Sequence, residues 1–163
     1  MKHSIAIEVN GEAWALDVEP GEVLLDVLRE KVGVKSPKIG CETGDCGACT
    51  VLYDGVSIRS CLVLGVEADG HEITTLEGLS HDGLSTLQQV MVEMSSFQCG
   101  FCAPGIVVAA HELLQQRPDP TREEVQEAIA GNLCRCTGYD PIVDAVLEAA
   151  RIGPGDASQG KGP

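Results

Sequence analysis

Aromatic residues are scarce, at 3% of 163 residues. The core must therefore be built from Val, Leu, Ile and Ala, which are plentiful. Basic residues are also few: 11 Lys and Arg stand against 25 Asp and Glu, for a formal net charge of −14. A phosphate backbone calls for clustered Lys and Arg, so nucleic acid is excluded as a partner. The acidic residues are spread through both halves without long runs, and this acidity reads as solubility. No apolar run approaches the roughly 20 residues of a membrane helix, which excludes direct membrane insertion. Met1-Lys2-His3-Ser4 leads into alternating Ile5-Ala6-Ile7-Glu8 and not into the continuous apolar stretch of a signal peptide. The expected location is cytoplasmic, where thiols stay reduced and clustered cysteines bind metal. No Ser-His-Asp arrangement, phosphate loop or paired-carboxylate motif stands out, so no catalytic residue is assigned. His3, His71, His81 and His111 show no ligand spacing to each other or to carboxylates, and Met91 and Met94 read as core filler.

What the chain does have is eight cysteines. Cys41, Cys46 and Cys49 share one short loop, Gly-Cys-Glu-Thr-Gly-Asp-Cys-Gly-Ala-Cys-Thr-Val, over 40 to 51, and Cys61 follows after a strand-like run. Four residues between the first two, two between the next pair and a distant fourth is the plant-type spacing for a [2Fe–2S] cluster. Gly40, Gly44 and Gly47 let the backbone fold tightly and aim N–H groups at the sulfurs. A four-thiolate zinc site is chemically possible with the same residues. The second set is Cys99, Cys102, Cys134 and Cys136. Ala103-Pro104 puts Cys99 and Cys102 at a helix N-terminus, where the dipole and free N–H groups favour thiolates. Cys134 and Cys136 precede a second helix start at Asp140-Pro141, so two helix ends can face one point. Zinc remains open here too, whereas a thioredoxin-like use of Cys99 and Cys102 lacks its β-α-β context.

Periodicity divides the chain into an α+β half and a helical half. Ile5, Ile7 and Val9, then Asn10-Gly11, then Trp14, Leu16 and Val18 predict a tight hairpin. Val23 to Val32 reads as a helix with Leu24, Leu25 and Leu28 inward, stopped by Gly33. Thr50 to Tyr53 and Val56 to Val66 read as strands around Asp54-Gly55, and the stretch from His71 to Thr74 as an edge strand. Beyond a polar boundary from Leu76 to Gly83 the period becomes helical. Four helices are predicted: Leu84, Leu87, Met91 and Met94 mark the first, and Ile106, Ala110, Leu113 and Leu114 the second. The third starts at a Thr121/Glu124 capping box, buries Val125, Ala128 and Ile129, and stops at Gly131. The fourth is capped by Asp140, with Pro141 at its first position. The expected domains are 1–76 and 83–152, with a disordered tail over 153–163. Below about 80 residues a domain usually needs staples, and one metal site per half meets that need.

Taken together, the motif at 40 to 51, Gln-Cys-Gly-Phe-Cys-Ala-Pro-Gly at 98 to 105 and Gly-Asn-Leu-Cys-Arg-Cys-Thr-Gly-Tyr at 131 to 139 resemble the two-cluster iron–sulfur small subunit of the xanthine oxidase family of molybdenum hydroxylases. The resemblance runs from about Ile5 to Ala150. It implies a β-grasp ferredoxin domain, then a four-helix domain, with a [2Fe–2S] cluster in each. It further implies that Cys99, Cys102, Cys134 and Cys136 hold the cluster proximal to molybdenum, and Cys41, Cys46, Cys49 and Cys61 the distal one. Gln98 and Cys136 would lie against molybdopterin. Ala103 stands where the family frequently has Thr, a departure that touches no ligand. The implied function is electron transfer from a molybdopterin centre on a large subunit, through both clusters, to FAD on another subunit of a dimer of heterotrimers. A free-standing ferredoxin-like carrier and a zinc-stapled structural module are the other readings.

Overall fold

The computed structural model describes residues 2–80 and 83–153. The chain opens with the predicted hairpin, β1 (His3–Val9) and β2 (Glu12–Val18), paired antiparallel with Ile7 opposite Trp14. Asn10 and Gly11 take φ of 54° and 82°, the left-handed pair that a two-residue turn requires. The helix α1 follows as an α-turn, Leu24–Asp26, that widens into a π-turn, Val27–Val32. Leu24, Leu25 and Leu28 are buried as predicted, and Gly33 closes the helix at φ 91°, its N–H bonded five residues back to the Leu28 carbonyl.

The strands β3 (Thr50–Tyr53) and β4 (Val56–Arg59) form the second hairpin. Here the strand expected to continue to Val66 stops at Arg59. The Ser60 N–H and hydroxyl both bond to the Cys49 carbonyl, at 3.3 and 2.8 Å, and the chain turns through two short 3-10 segments, Ser60–Leu62 and Gly65–Ala68. Its backbone then pairs with the entry to α1, where the Leu24 N–H reaches the Val63 carbonyl. A second correction concerns β5 (Glu72–Thr74), expected at an edge: the sheet order is β2-β1-β5-β3-β4, so β5 lies in the middle, parallel to β1 and antiparallel to β3. Ile73, fully buried, is the one side chain it sends into the core. A mixed sheet with a central late strand and one helix across it is a β-grasp. His71, which shows no ligand spacing to carboxylates in the sequence, meets Asp54 at 2.6 Å because β5 pairs beside the Asp54 turn.

The helical half contains α2 (Thr86–Glu93), α3 (Ala103–Gln116), α4 (Arg122–Ile129) and α5 (Asp140–Ile152). Ile106, Ala110, Val125, Ile129, Ile142 and Val146 fill its core. Leu84 and Met94, expected on the inner face of the first helix, flank it and are exposed; the buried pair is Leu87 and Met91. The Thr121/Glu124 capping box is present in both directions. Asp140 is not the cap of α5: Tyr139 holds that position, and the Asp140 carboxylate accepts from Arg122 of α4 at 2.6 Å. The 3-10 segment Leu76–Leu79 straps the halves together. Leu76 and Leu79 pack on the helical core, while Glu77 accepts from the Lys35 and Ser36 N–H groups at 3.0 and 2.9 Å. His81 and positions 154–163 of the expected tail lie outside the described residues.

Candidate metal centres

The first cysteine loop is shaped by close approaches that only glycine permits. A Cβ at Gly40 would stand 2.7 Å from the Cys46 sulfur, and Gly47, at φ 71°, faces the loop before α5. The Thr43 and Cys46 N–H groups each donate to Cys41 Sγ at 3.4 Å. The Thr43 side chain and these N–H groups pull the Cys41 thiol down to about 6. Burial, then the neighbouring Cys49, pushes Cys61 up to about 11; Cys46 is raised by burial and by Cys41. Cys41 Sγ thus lies beside the Cys46 backbone, and Cys49 and Cys61 pack together against Leu25.

The second set lies between α3 and the loop before α5. Cys102 caps α3, as the Ala-Pro signature predicted. Cys136 Sγ lies 3.5 Å from Cys99 Sγ, while burial and the facing Cys134 push Cys102 up to about 12. Cys99, lowered, is held by the Phe101 N–H. On the other side the expectation of a second helix end fails in detail. Pro141 has no N–H to offer and the Ile142 N–H is bonded to the Tyr139 carbonyl, so the donors that favour the Cys134 thiolate come from Cys136 and Thr137 of the loop itself. Tyr139, in the left-handed region at φ 73°, braces this loop: its hydroxyl accepts from the Cys134 N–H at 2.9 Å and donates to the Asn132 carbonyl at 3.2 Å.

Each set therefore gathers its cysteines side by side, Cys49 with Cys61 in the first and Cys99 with Cys136 in the second. Among the described residues no three cysteine, histidine or carboxylate side chains converge closely enough on one point to hold a single metal ion. A zinc ion draws four sulfurs to about 2.3 Å from one centre. A cluster of two irons takes two thiolates per iron and spreads its ligands wider, and the side-by-side arrangement fits that donor set.

The two sets are joined by direct contact. The Leu133 N–H, one residue before Cys134, donates to the Cys46 carbonyl at 2.8 Å. Arg59 of β4 reaches the Gly131 carbonyl at 2.6 Å, and Asn132 reaches the Gly47 carbonyl at 2.9 Å. Sequence reasoning assigned no role to Asn132, Arg59 or Tyr139. Asn132 and Tyr139 did lie inside the 131 to 139 motif; Arg59 carried no local signal.

Comparison with known proteins bears on both halves. Residues 7–73 match the family described as 2Fe-2S iron-sulfur cluster binding domain, and residues 75–147 the family described as [2Fe-2S] binding domain. The nicotine 6-hydroxylase small subunit of Paenarthrobacter nicotinovorans is 50% identical over 89% of this chain and 88% of its own length. The chain belongs to the iron–sulfur small subunits of the xanthine oxidase family. The xanthine dehydrogenase iron-sulfur-binding subunit of Escherichia coli O157:H7 is 48% identical over 93% of this chain and 99% of its own. The fold agrees as well: a chain of quinoline 2-oxidoreductase from Pseudomonas putida 86 superposes with a TM-score of 0.88 at 47% identity, covering 94% of this chain and 99% of that one. As a member of this family the chain is the two-cluster electron-transfer component of a molybdenum hydroxylase.

Proposed function

We propose that the chain is a two-step electron wire whose helical end faces the substrate-converting centre and whose β-grasp end faces the exit. Cys99, Cys102, Cys134 and Cys136 hold the proximal [2Fe–2S] cluster, and Cys41, Cys46, Cys49 and Cys61 the distal one. The observation that carries the ligand assignment is the gathering of each set: Cys136 Sγ lies 3.5 Å from Cys99 Sγ, Cys49 packs with Cys61, and Cys41 Sγ accepts from the Cys46 N–H. When bound, the clusters supply one-electron carriers that accept two electrons singly from molybdenum and deliver them to FAD. This chain's own part is to hold the thiolates, to aim N–H groups at them and to keep the two sets in contact.

Gln98 and Cys136 are the residues set against molybdopterin. Both are exposed, and the Gln98 side-chain amide donates to the Cys136 carbonyl at 3.1 Å, so they form one surface feature at the second set. The partners are a large molybdopterin-binding subunit and a FAD-binding subunit, assembled as a dimer of heterotrimers in the cytoplasm. Among the described residues no helix is long and apolar enough to cross a membrane. Residues 1–76 form the distal-cluster domain and 83–152 the proximal-cluster domain. Metal analysis and EPR of the anaerobically purified complex test this reading. The expected result is about four irons for this chain and two distinct [2Fe–2S] signals; zinc in place of iron refutes it.

A further inference from the structure

Two polar side chains in the contact between the cysteine sets are almost wholly buried: Asn132 at 1% exposure and Thr50 at 2%. Asn132 Nδ2 donates to both the Gly47 carbonyl, at 2.9 Å, and Thr50 Oγ1, at 3.0 Å. The Thr50 hydroxyl donates in turn to the same Gly47 carbonyl at 2.6 Å and accepts from Arg59 Nη1 at 3.0 Å. The second Arg59 nitrogen, Nη2, reaches the Gly131 carbonyl at 2.6 Å, closing a ring of hydrogen bonds across the two halves. Asn132 Oδ1 meanwhile is buried with no partner, a cost that folding tolerates only where the donor side of the amide more than offsets it. No slack surrounds the ring: a Cβ at Gly47 would stand 2.6 Å from Asn132 Nδ2 and collide with the Gly131 carbonyl, and a Cβ at Gly105 would collide with the Gly47 carbonyl.

We propose that Asn132, acting with Thr50 and Arg59, is a positioning residue that locks the Cys46–Thr50 loop onto the Gly131–Cys134 loop and so sets the separation of the two cysteine sets. The inference rests on the reading that each set carries a cluster. The Leu133 N–H to Cys46 carbonyl bond reports on the lock, since it bridges the same two loops without belonging to the ring. The locked contact also makes the intercluster gap a property of this chain alone, independent of how its partners hold it.

The test compares the parent complex with Asn132→Ala and, at the accessible rim, Arg59→Gln. Hydrogen exchange at the Leu133 amide is expected to rise by about 5- to 150-fold in Asn132→Ala, the range for losing buried hydrogen bonds, while amides in β1 and α5 keep their rates. With both clusters reduced, the magnetic splitting between their EPR signals shrinks, and each signal keeps its own shape and intensity. Arg59→Gln moves both readouts the same way by less. Unchanged exchange and splitting with both signals intact overturn the proposal, as does a uniform rise in exchange through both halves. If Asn132→Ala loses a cluster, the Arg59→Gln result decides. A parent sample without two iron signals instead overturns the two-cluster reading beneath it.

Discussion

Replacing Gly105 with alanine tests the contact between the halves through a single methyl group. Gly105 lies in the first turn of α3, where the added Cβ would collide with the Gly47 carbonyl oxygen and approach Asn132 Nδ2 to 2.8 Å. The obstacle is backbone, so no flexible side chain can swing away. Overpacking of this kind costs about 1–3 kcal/mol. Displacing Gly47 also strains the Asn132 hydrogen bond, worth about 1 kcal/mol. Alanine is the better helix former and returns about 0.5–1 kcal/mol. The net destabilisation is then about 1–3 kcal/mol, and for a chain of this size the thermal midpoint falls by about 2–12 °C. The assay is a melt of the cluster-loaded protein followed by far-UV circular dichroism and by loss of the cluster absorbance. A midpoint that stays or rises, as helix propensity alone dictates, refutes the close backbone packing of α3 on the first cysteine loop.

Two further outcomes follow from single side chains. Burial alone would raise the Glu77 carboxyl, but hydrogen bonds from Ser36, Thr75 and the Ser36 N–H outweigh it and hold it below the usual 4.5. A depressed carboxyl stabilises the fold above its unfolded value, and that contribution is lost as pH falls through the lower native value. Glu77→Gln should therefore cost roughly 1–2 kcal/mol of stability near neutral pH after allowing for the half-exposed site, lowering the melting midpoint there, and the gap from the parent should close in acid; a gap independent of pH refutes the charge-based strap. Thr121→Ala removes the hydroxyl that accepts from the Glu124 N–H and should cost about 1 kcal/mol, with faster exchange first in the amides of α4. Equal exchange in α4 of the two proteins would show that the cap contributes nothing.

How far the sequence carried the argument differs from element to element. The first hairpin, the Gly33 stop and the Thr121 capping box were legible because each is enforced within a few residues: left-handed φ needs Asn or Gly, and a cap needs an oxygen beside a free N–H. The Cys102 end of α3 was legible for the same reason. The end of β4 at Arg59 was not, since its cause is the backbone of Glu22–Leu24 drawing Val63–Gly65 away from the ladder. The central place of β5 was hidden too, because three residues carry no sign of a parallel partner 64 positions earlier.

The cysteine spacings and their flanking glycines determined by themselves that this chain has two thiolate sites, and the three motifs together determined its family. Those signals are local, and chemistry at a site demands particular residue types at particular spacings. The tertiary structure decided which cysteines lie side by side within each set, which backbone N–H groups serve them, and that the two loops touch. Leu133 meets Cys46, Arg59 meets Gly131 and Asn132 meets Gly47 only after the two halves have packed. Their partners lie 72 to 87 positions apart, a distance at which no periodicity or motif constrains the pairing. What brings them together is the shape left by glycines at 47, 105 and 131 and a buried ring of hydrogen bonds that closes only when both halves are folded.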